Sequence, residues 1–377
     1  MKIPLLIITL LALCGCNHLP ERTTQDGQDS LAAPVKEYTL DENIGAMLLV
    51  GFRGTEVDST RNPEIISALR DYHVGSVILF DYDVPTGKRG RNIKDATQLK
   101  ALCQQLRAFN PHLLIGIDQE GGYVSRLSPR YGFPSIPSAK RLGALGEDSL
   151  RHYAHLTATM LSELGIDLDF APVADVDVNP RCPVIGAIER SFSADAAEVK
   201  SCCLRWVEEM NKGGVVSCMK HFPGHGSAKG DTHKGLVDVS DTWQRRELEP
   251  YRNLSSEGLM VMTAHVINRR LDPSGLPASL SPRITAYLRD TLDFQGVIVT
   301  DDLAMGAIVQ QYSFEQAVRM AVVAGADLLC LSNNGGSYDP NMVPRAVKVI
   351  KQMVEDGTVS AERIAQSADR VRKAAEK

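Results

Sequence analysis

From about residue 40 onward the chain alternates short, nearly all-apolar runs with longer amphipathic stretches, and it does so eight times. The runs are Met47–Val50, Ser76–Phe80, Leu113–Ile117, Ile166–Phe170, Val215–Met219, Leu259–Thr263, Val297–Thr300 and Asp327–Leu331. Helical spacing marks Asn62–Tyr72, Ala96–Phe109, Ser149–Leu164, Ala194–Asn211, Asp241–Ser256, Ser281–Leu292 and Ser313–Ala324. A strand that is apolar nearly throughout is covered on both faces, as in parallel sheets flanked by helices. Parallel neighbours need crossovers long enough to hold a helix, so the pattern predicts an α/β fold of repeated βα units. Eight units over about 330 residues is the count that closes a single (β/α)8 TIM-type barrel. An open doubly wound sheet is the alternative, but no glycine-rich dinucleotide turn follows the first strand.

The N-terminus stands outside this pattern. Lys2 is followed by an apolar run, Ile3–Leu13, too short for the ~20 residues that span a bilayer but suited to a secretory signal. Leu13-Cys14-Gly15-Cys16 resembles the lipobox of bacterial lipoproteins, which implies that Cys16 becomes the lipid-modified mature N-terminus; a plain cleaved signal is the alternative. Multiple acyl chains anchor stably where one is marginal. Asn17 follows, where Asp commonly retains diderm lipoproteins at the inner membrane, so the expected location is the periplasmic face of the envelope, at the outer membrane in a diderm. Residues 16–37 are polar and turn-rich and read as a flexible tether. The expected division is therefore 1–15 signal peptide, 16–37 tether and 38–377 folded domain.

The formal net charge of −5, without a long run of either sign, excludes the basic footprint of a nucleic-acid binder. Lys88, Arg89 and Arg91 lie among glycines but lack the spacing of a phosphate-binding P-loop. Six cysteines remain after the signal, with no CxxC pair and no spacing that dictates a disulfide framework. Cys218 and Cys330 fall inside apolar runs, where a free thiol packs as a small hydrophobe.

Polar residues gather where the apolar runs end. Asp118-Gln119-Glu120-Gly121-Gly122 follows the third, Lys220 to Gly226 the fifth and His265 the sixth, while Thr300-Asp301-Asp302 ends the seventh. In a barrel these strand ends converge on one rim, where such enzymes place their chemistry. The densest group is Lys220–His233, with three His, one Asp and two Lys among glycines and a proline. Asp231 and His233 are two apart, so in an extended segment both face one way. A carboxylate beside an imidazole favours the protonated ring, which suits a general acid/base near neutral pH. A zinc site and a merely structural loop are the competing readings; Pro223 and Gly224 break the helix that would put His221 and His225 on one face. Asp301 and Asp302 are adjacent, so only one of them faces a pocket, with Asp301 the reacting group and Asp302 its support.

These segments resemble, in order, those of the β-N-acetylglucosaminidases of glycoside hydrolase family 3. Lys220–His233 is similar to the family's KHFPGHG…D-S-H motif, and Asp118–Arg126 to DQEGG-x-V-x-R. Asp169–Val176 is similar to F-A-P-V-x-D-V, Glu189–Phe192 to R-S-F, and Thr300–Met305 to the nucleophile segment. The resemblance spans roughly Tyr38 to Glu376. It implies that Asp301 is the nucleophile, His233 the acid/base on a mobile loop and Asp231 its partner. It implies further that Asp118, Arg126, Arg190, Lys220 and His221 grip an N-acetylglucosamine, and that neither metal nor organic cofactor is used. The expected activity is retaining hydrolysis of terminal β-linked N-acetylglucosamine from muropeptides or other peptidoglycan fragments. A phosphorylase, a β-glucosidase and a non-catalytic wall-binding lipoprotein are the alternatives. Several positions depart from the family: Tyr123 where Arg is frequent, Asp81-Tyr82-Asp83 in place of a polar turn ending in Asn, Ser193 for Gly, and Val237 for Pro.

Overall fold

The computed structural model describes Glu37–Glu376; the expected signal and nearly all of the tether, Cys16 included, lie outside these residues. Eight parallel strands form the centre: β1 (Leu48–Gly51), β2 (Ser76–Leu79), β3 (Leu114–Ile117), β4 (Leu168–Asp169), β5 (Val216–Phe222), β6 (Leu259–Thr263), β7 (Val297–Thr300) and β8 (Leu329–Leu331). Each pairs with its sequence neighbour, and β1 pairs with β8 in the register Leu48–Leu329. Between β7 and β8 the ladder narrows to one bridge, Val299–Leu328, with Thr300 N donating to Leu328 O at 3.0 Å. The result is a nearly closed parallel barrel of the TIM type.

Side-chain alternation explains the apolar runs. Leu49, Ile78, Leu114, Leu168, Val216, Cys218, Met260, Val297 and Val299 share the barrel interior with Leu328 and Cys330. Their sequence neighbours, such as Leu48, Val50, Val77, Leu79, Val261 and Ile298, join the larger cluster against the surrounding helices. Both faces of each strand are thus buried, as their near-continuous hydrophobicity requires. Gly116 takes an interior place because a Cβ there would stand 2.8 Å from the Phe170 ring.

The floor is closed by the last helix, α11 (Ala361–Ala375), whose Val371 belongs to the interior cluster. Beneath β8, buried Asp327 accepts from Ile298 N and Ser367 Oγ and pairs with Arg289 and Arg370. Helices α2 (Pro63–Arg70), α3 (Ala96–Arg107), α5 (Glu147–Leu164), α6 (Ala196–Lys212) and α9 (Phe314–Ala324) lie where helical spacing indicates. In α9, Ser313 and Gln316 satisfy each other's backbone N–H groups in a capping box.

Two expected helices differ. Asp241–Ser256 contains only a 3-10 segment, Arg245–Tyr251, with Pro250 inside it; proline removes an amide donor and crowds the preceding turn, which disfavours a regular helix. Ser281–Leu292 becomes α7 (Pro282–Ala286) followed by a π-type turn, Tyr287–Thr291. Five further α-helices lie outside the expected set: α1 (Leu40–Ala46), α4 (Ala139–Leu145), α8 (Gly306–Val309), α10 (Met342–Glu355) and α11. All six folded-domain cysteines are free, and Cys218 and Cys330 are buried among the interior hydrophobes.

Candidate active site

The interior alternation continues one step past the hydrophobic layer. Leu114 and Gly116 lead to Asp118, Val216 and Cys218 to Lys220, and Val297 and Val299 to Asp301. Three charged side chains therefore sit at the carboxyl ends of β3, β5 and β7, above the packed interior, as expected of the functional rim of such a barrel. With residues from the adjoining loops they line one cavity of about 850 Å³. All eight residues singled out for chemistry or substrate binding line it: Asp118, Arg126, Arg190, Lys220, His221, Asp231, His233 and Asp301.

One wall is an ion network. Lys220 Nζ lies 2.7 Å from both Asp118 Oδ1 and Glu120 Oε1. Arg126 reaches Asp118 Oδ2 at 3.2 Å, and Arg190 holds Glu120 through two bonds of 2.7 and 2.8 Å. Burial pushes the carboxyls of Asp118 and Glu120 up, but these cations outweigh it and leave both below the usual range. The same carboxylates raise Lys220 against its own desolvation. Opposed charges fixed in this way present hydrogen-bonding groups of both polarities, as sugar hydroxyls require. Beneath them Asp169 on β4 is fully buried; desolvation pushes its carboxyl up to about 8, with Asp118 and Glu120 adding to the effect.

His221 is oriented by buried Asp175, with Nδ1 2.6 Å from Oδ2, while Arg190 Nη2 stands 3.4 Å from Nε2. Asp175 Oδ1 also accepts from the main-chain N–H of His225 at 2.7 Å, and burial lowers the His225 imidazole to about 4. Asp175 therefore serves the histidine-rich loop from within, and among the described residues no three His, Cys, Asp or Glu side chains group as metal ligands.

The Asp231–His233 pair forms, but not in an extended segment. Asp231 Oδ1 accepts the His233 main-chain N–H at 2.9 Å and meets ring Nδ1 at 2.8 Å, an Asx-type turn. Burial raises Asp231, yet the His233 N–H and ring outweigh it and hold the carboxyl low. The loop carrying the pair rests on α8 (Gly306–Val309), which follows β7. Ala307 N donates to Thr232 O at 3.0 Å, and Gln310 Nε2 to Lys234 O at 2.9 Å. Between them, a Cβ on Gly306 would fall 2.4 Å from His233 O.

Asp301 faces the cavity with one carboxylate oxygen accepting the Asp302 N–H at 2.8 Å. Burial disfavours its charge, but the imidazoles of His265, His221 and His233 outweigh burial and lower it. Asp302 is occupied differently: it accepts from Ala304 N, Ser332 N and Ser332 Oγ, which locks the turn after β7 onto the end of β8. His265 Nε2 lies 2.8 Å from Asp302 O, and its Nδ1 2.6 Å from Ser279 Oγ. Both adjacent carboxylates border the cavity, contrary to the expectation that only one would, but that of Asp302 is taken up by the turn.

The pattern of the glycosyl hydrolase family 3 N-terminal domain matches residues 39–374. The chain belongs to this family. A β-hexosaminidase of Neisseria meningitidis serogroup C is 36% identical over 307 residues, covering 77% of this chain and 78% of its own. Among solved structures, a family 3 β-N-acetylglucosaminidase from Paenibacillus sp. FPU-7 superposes with a TM-score of 0.80 at 33% identity, covering 90% of this chain. This chain spans 64% of that longer protein. A β-N-acetylhexosaminidase from Beutenbergia cavernae has a TM-score of 0.78 at 28% identity, over 90% of this chain and 99% of its own. As a family 3 member the chain is a glycoside hydrolase.

Four side chains of this family 3 site carry no role in the sequence reading: Glu120, Asp169, Asp175 and His225. Each lies within a segment quoted above. Their partners are far off in sequence: Glu120 pairs with Arg190 and Lys220, and Asp175 with His221. The available signal was parity, since Glu120 is two residues from Asp118 at the same strand end.

Proposed function

We propose that the chain is a retaining exo-β-N-acetylglucosaminidase acting on peptidoglycan fragments, with Asp301 as nucleophile, His233 as acid/base and Asp231 as the partner of His233. The observation that carries this reading is the half-buried Asp301, its carboxyl held below the usual range by nearby imidazoles, sharing one cavity with the Asp231–His233 pair and the Lys220-centred network. The N-acetylated sugar is supported by the printed activities of the relatives.

In the first step Asp301 attacks the anomeric carbon while the imidazolium of His233 gives its proton to the departing oxygen. The glycosidic bond breaks and a glycosyl ester forms on Asp301. Asp231 favours the imidazolium through its contact with Nδ1. In the second step neutral His233 takes a proton from water, which attacks the same carbon from the vacated face and frees Asp301. Two inversions give net retention. Asp118, Arg126, Arg190, Lys220 and His221 hold the sugar hydroxyls and amide. Desolvated charge pairs are suited to this task because a misplaced hydroxyl leaves a buried group unpaired.

The enzyme is further proposed to be exported and lipid-anchored through Cys16, with the tether holding the barrel off the membrane. Hydrolysis of aryl β-N-acetylglucosaminide and of a defined muropeptide by purified protein tests the activity. Free N-acetylglucosamine from both is expected; release of glucose from aryl β-glucoside in preference would overturn the sugar assignment. Incorporation of labelled fatty acid into wild type but not Cys16→Ser tests the anchor, and equal labelling would refute it.

A further inference from the structure

Ten large hydrophobic side chains are exposed among the described residues, and four of them, Tyr82, Val84, Tyr123 and Val309, line the mouth of this one cavity. Exposed apolar groups scattered singly need no explanation, whereas a cluster at the mouth of a binding site does. We propose that Tyr82, Val84 and Tyr123 form a platform that binds the leaving-group sugar of the substrate and selects an uncharged pyranose ring over one bearing a free carboxylate. The proposal rests on the activity read above and adds the chemistry of the group that departs.

The platform is built to be rigid. Tyr82 and Val84 flank Asp83 in a short hairpin and therefore point to one side of it. Asp83 is buried on the other side, where Arg53 holds it with bonds of 2.7 and 3.0 Å and Arg91 with one of 2.7 Å. Asn334, from the loop after β8, accepts from Val84 N at 2.9 Å and donates to Tyr82 O at 3.0 Å. The hairpin is thus anchored at the residue between the two exposed side chains and on both sides of it.

Tyr123 is anchored in the same manner. It follows Gly121 and Gly122, whose φ values of 88° and 60° suit glycine. Cβ atoms there would lie 2.3 Å from Pro137 O and 2.7 Å from Ser138 Cβ, and Gly122 N donates to Ile136 O at 2.9 Å. The turn is pressed against Ile136–Ser138 while Tyr123 stays 77% exposed. A large aromatic held on a fixed turn, uncovered by its own chain, loses little freedom on stacking against a ligand.

Charge sets the preference. The Lys and Arg residues lining the cavity are Arg126, Arg190 and Lys220. Each is held by Asp118 or Glu120. Arg89, which lies over the Tyr82 ring, pairs with Asp81 at 2.7 Å, and Lys234 beside the dyad is 3.8 Å from Asp231. A carboxylate on the departing ring would therefore meet cations that are already engaged and would lose water against tyrosine and valine. The C–H face of an uncharged pyranose instead meets the electron-rich face of an aromatic ring. N-acetylhexosamine qualifies, as does a muramyl residue whose carboxyl is bound in an amide.

Three substrates with the same terminal N-acetylglucosamine test the proposal: the glycosyl fluoride, the β-1,4 disaccharide with muramic acid, and that disaccharide as its amide. Wild type is expected to favour the amide over the free acid in kcat/KM. Tyr82→Ala and Tyr123→Ala should each lower kcat/KM for the amide about tenfold and leave the fluoride, which has no departing ring, within about twofold. Tyr123→Trp should retain the disaccharide rate. Equal losses on fluoride and amide, no loss on the amide, or a wild-type preference for the free acid would each overturn the platform. A wild type active on the fluoride alone overturns the platform and leaves the glycosidase reading intact; inactivity on all three overturns both.

Discussion

The acid/base loop packs tightly at Gly306 against α8, the short helix that follows the nucleophile strand. His233 O would stand 2.4 Å from a Cβ at this position, and both flanking carbonyls, Thr232 O and Lys234 O, are hydrogen-bonded to the same short helix. Cβ atoms essentially never approach within 3.0 Å of another heavy atom, so Gly306→Ala forces His233 and α8 apart by at least about 0.6 Å. A misplacement of ~1 Å can cost ~100-fold where a group must meet its reacting atom. General acid catalysis itself contributes ~100- to 10,000-fold. Gly306→Ala is therefore expected to lower kcat/KM roughly 10- to 100-fold on disaccharides and alkyl glycosides, whose leaving oxygen needs a proton. Dinitrophenyl glycosides need little protonation and should change by less than about threefold. The assay is kcat/KM across a series of β-N-acetylglucosaminides of graded leaving-group basicity, because kcat/KM reports the step in which that bond breaks. A steeper dependence on leaving group with an unchanged melting temperature is the predicted result. A uniform loss across the series, or none, would show that the Gly306 contact does not position His233.

Asp301→Ala should abolish turnover of activated and natural substrates alike, whereas His233→Ala should spare activated aryl glycosides; steady-state rates on both substrate classes check this, and wild-type activity of Asp301→Ala would remove the nucleophile assignment. Asp169 has a folded-state pKa of about 8, raised from 3.8 by burial, so its contribution to stability is fully present below about pH 4 and lost as pH rises through 8. Asp169→Asn imitates the protonated form and can keep the bond from Gln119 N; its stability should decline less than wild type between pH 5 and pH 8 in urea melts, and parallel declines would contradict the account. Lys220→Met leaves Asp118 and Glu120 without their shared cation and should cost about 3–5 kcal/mol by denaturant unfolding, a loss under about 1 kcal/mol marking the network as dispensable.

The barrel is legible in the sequence because strands buried on both faces cannot hide their hydrophobicity, and seven of the eight expected runs overlap the observed strands by at least three residues. Two shortened strands are informative. Leu168–Asp169 is a short remnant of the expected Ile166–Phe170 because Ile166 N turns back to the end of α5, at Leu161 O. At the other end, Pro172 has no N–H to offer the ladder. The Asp327 end of the eighth run stops short because its side chain serves the ion pairs of the floor. Asp118, Lys220 and Asp301 are legible by parity alone, each continuing the interior side of its strand. Glu120 shares that parity, but its role, like that of Asp175, depends on partners brought together only by closure of the barrel. The Asp231–His233 pairing was expected from period two and arises instead from a turn, in which a short carboxylate bonds the amide two residues on.

The central claim is that the sugar is carried on Asp301 between two displacements. Reaction of the enzyme with a 5-fluoro N-acetylglucosaminyl fluoride, which slows the second step more than the first, followed by mass spectrometry of the digested protein, tests it most directly. A single fluorosugar adduct on the peptide containing Asp301, absent from Asp301→Ala, is the predicted result. An adduct on a different residue, or no adduct together with product of inverted anomeric configuration, would contradict the account.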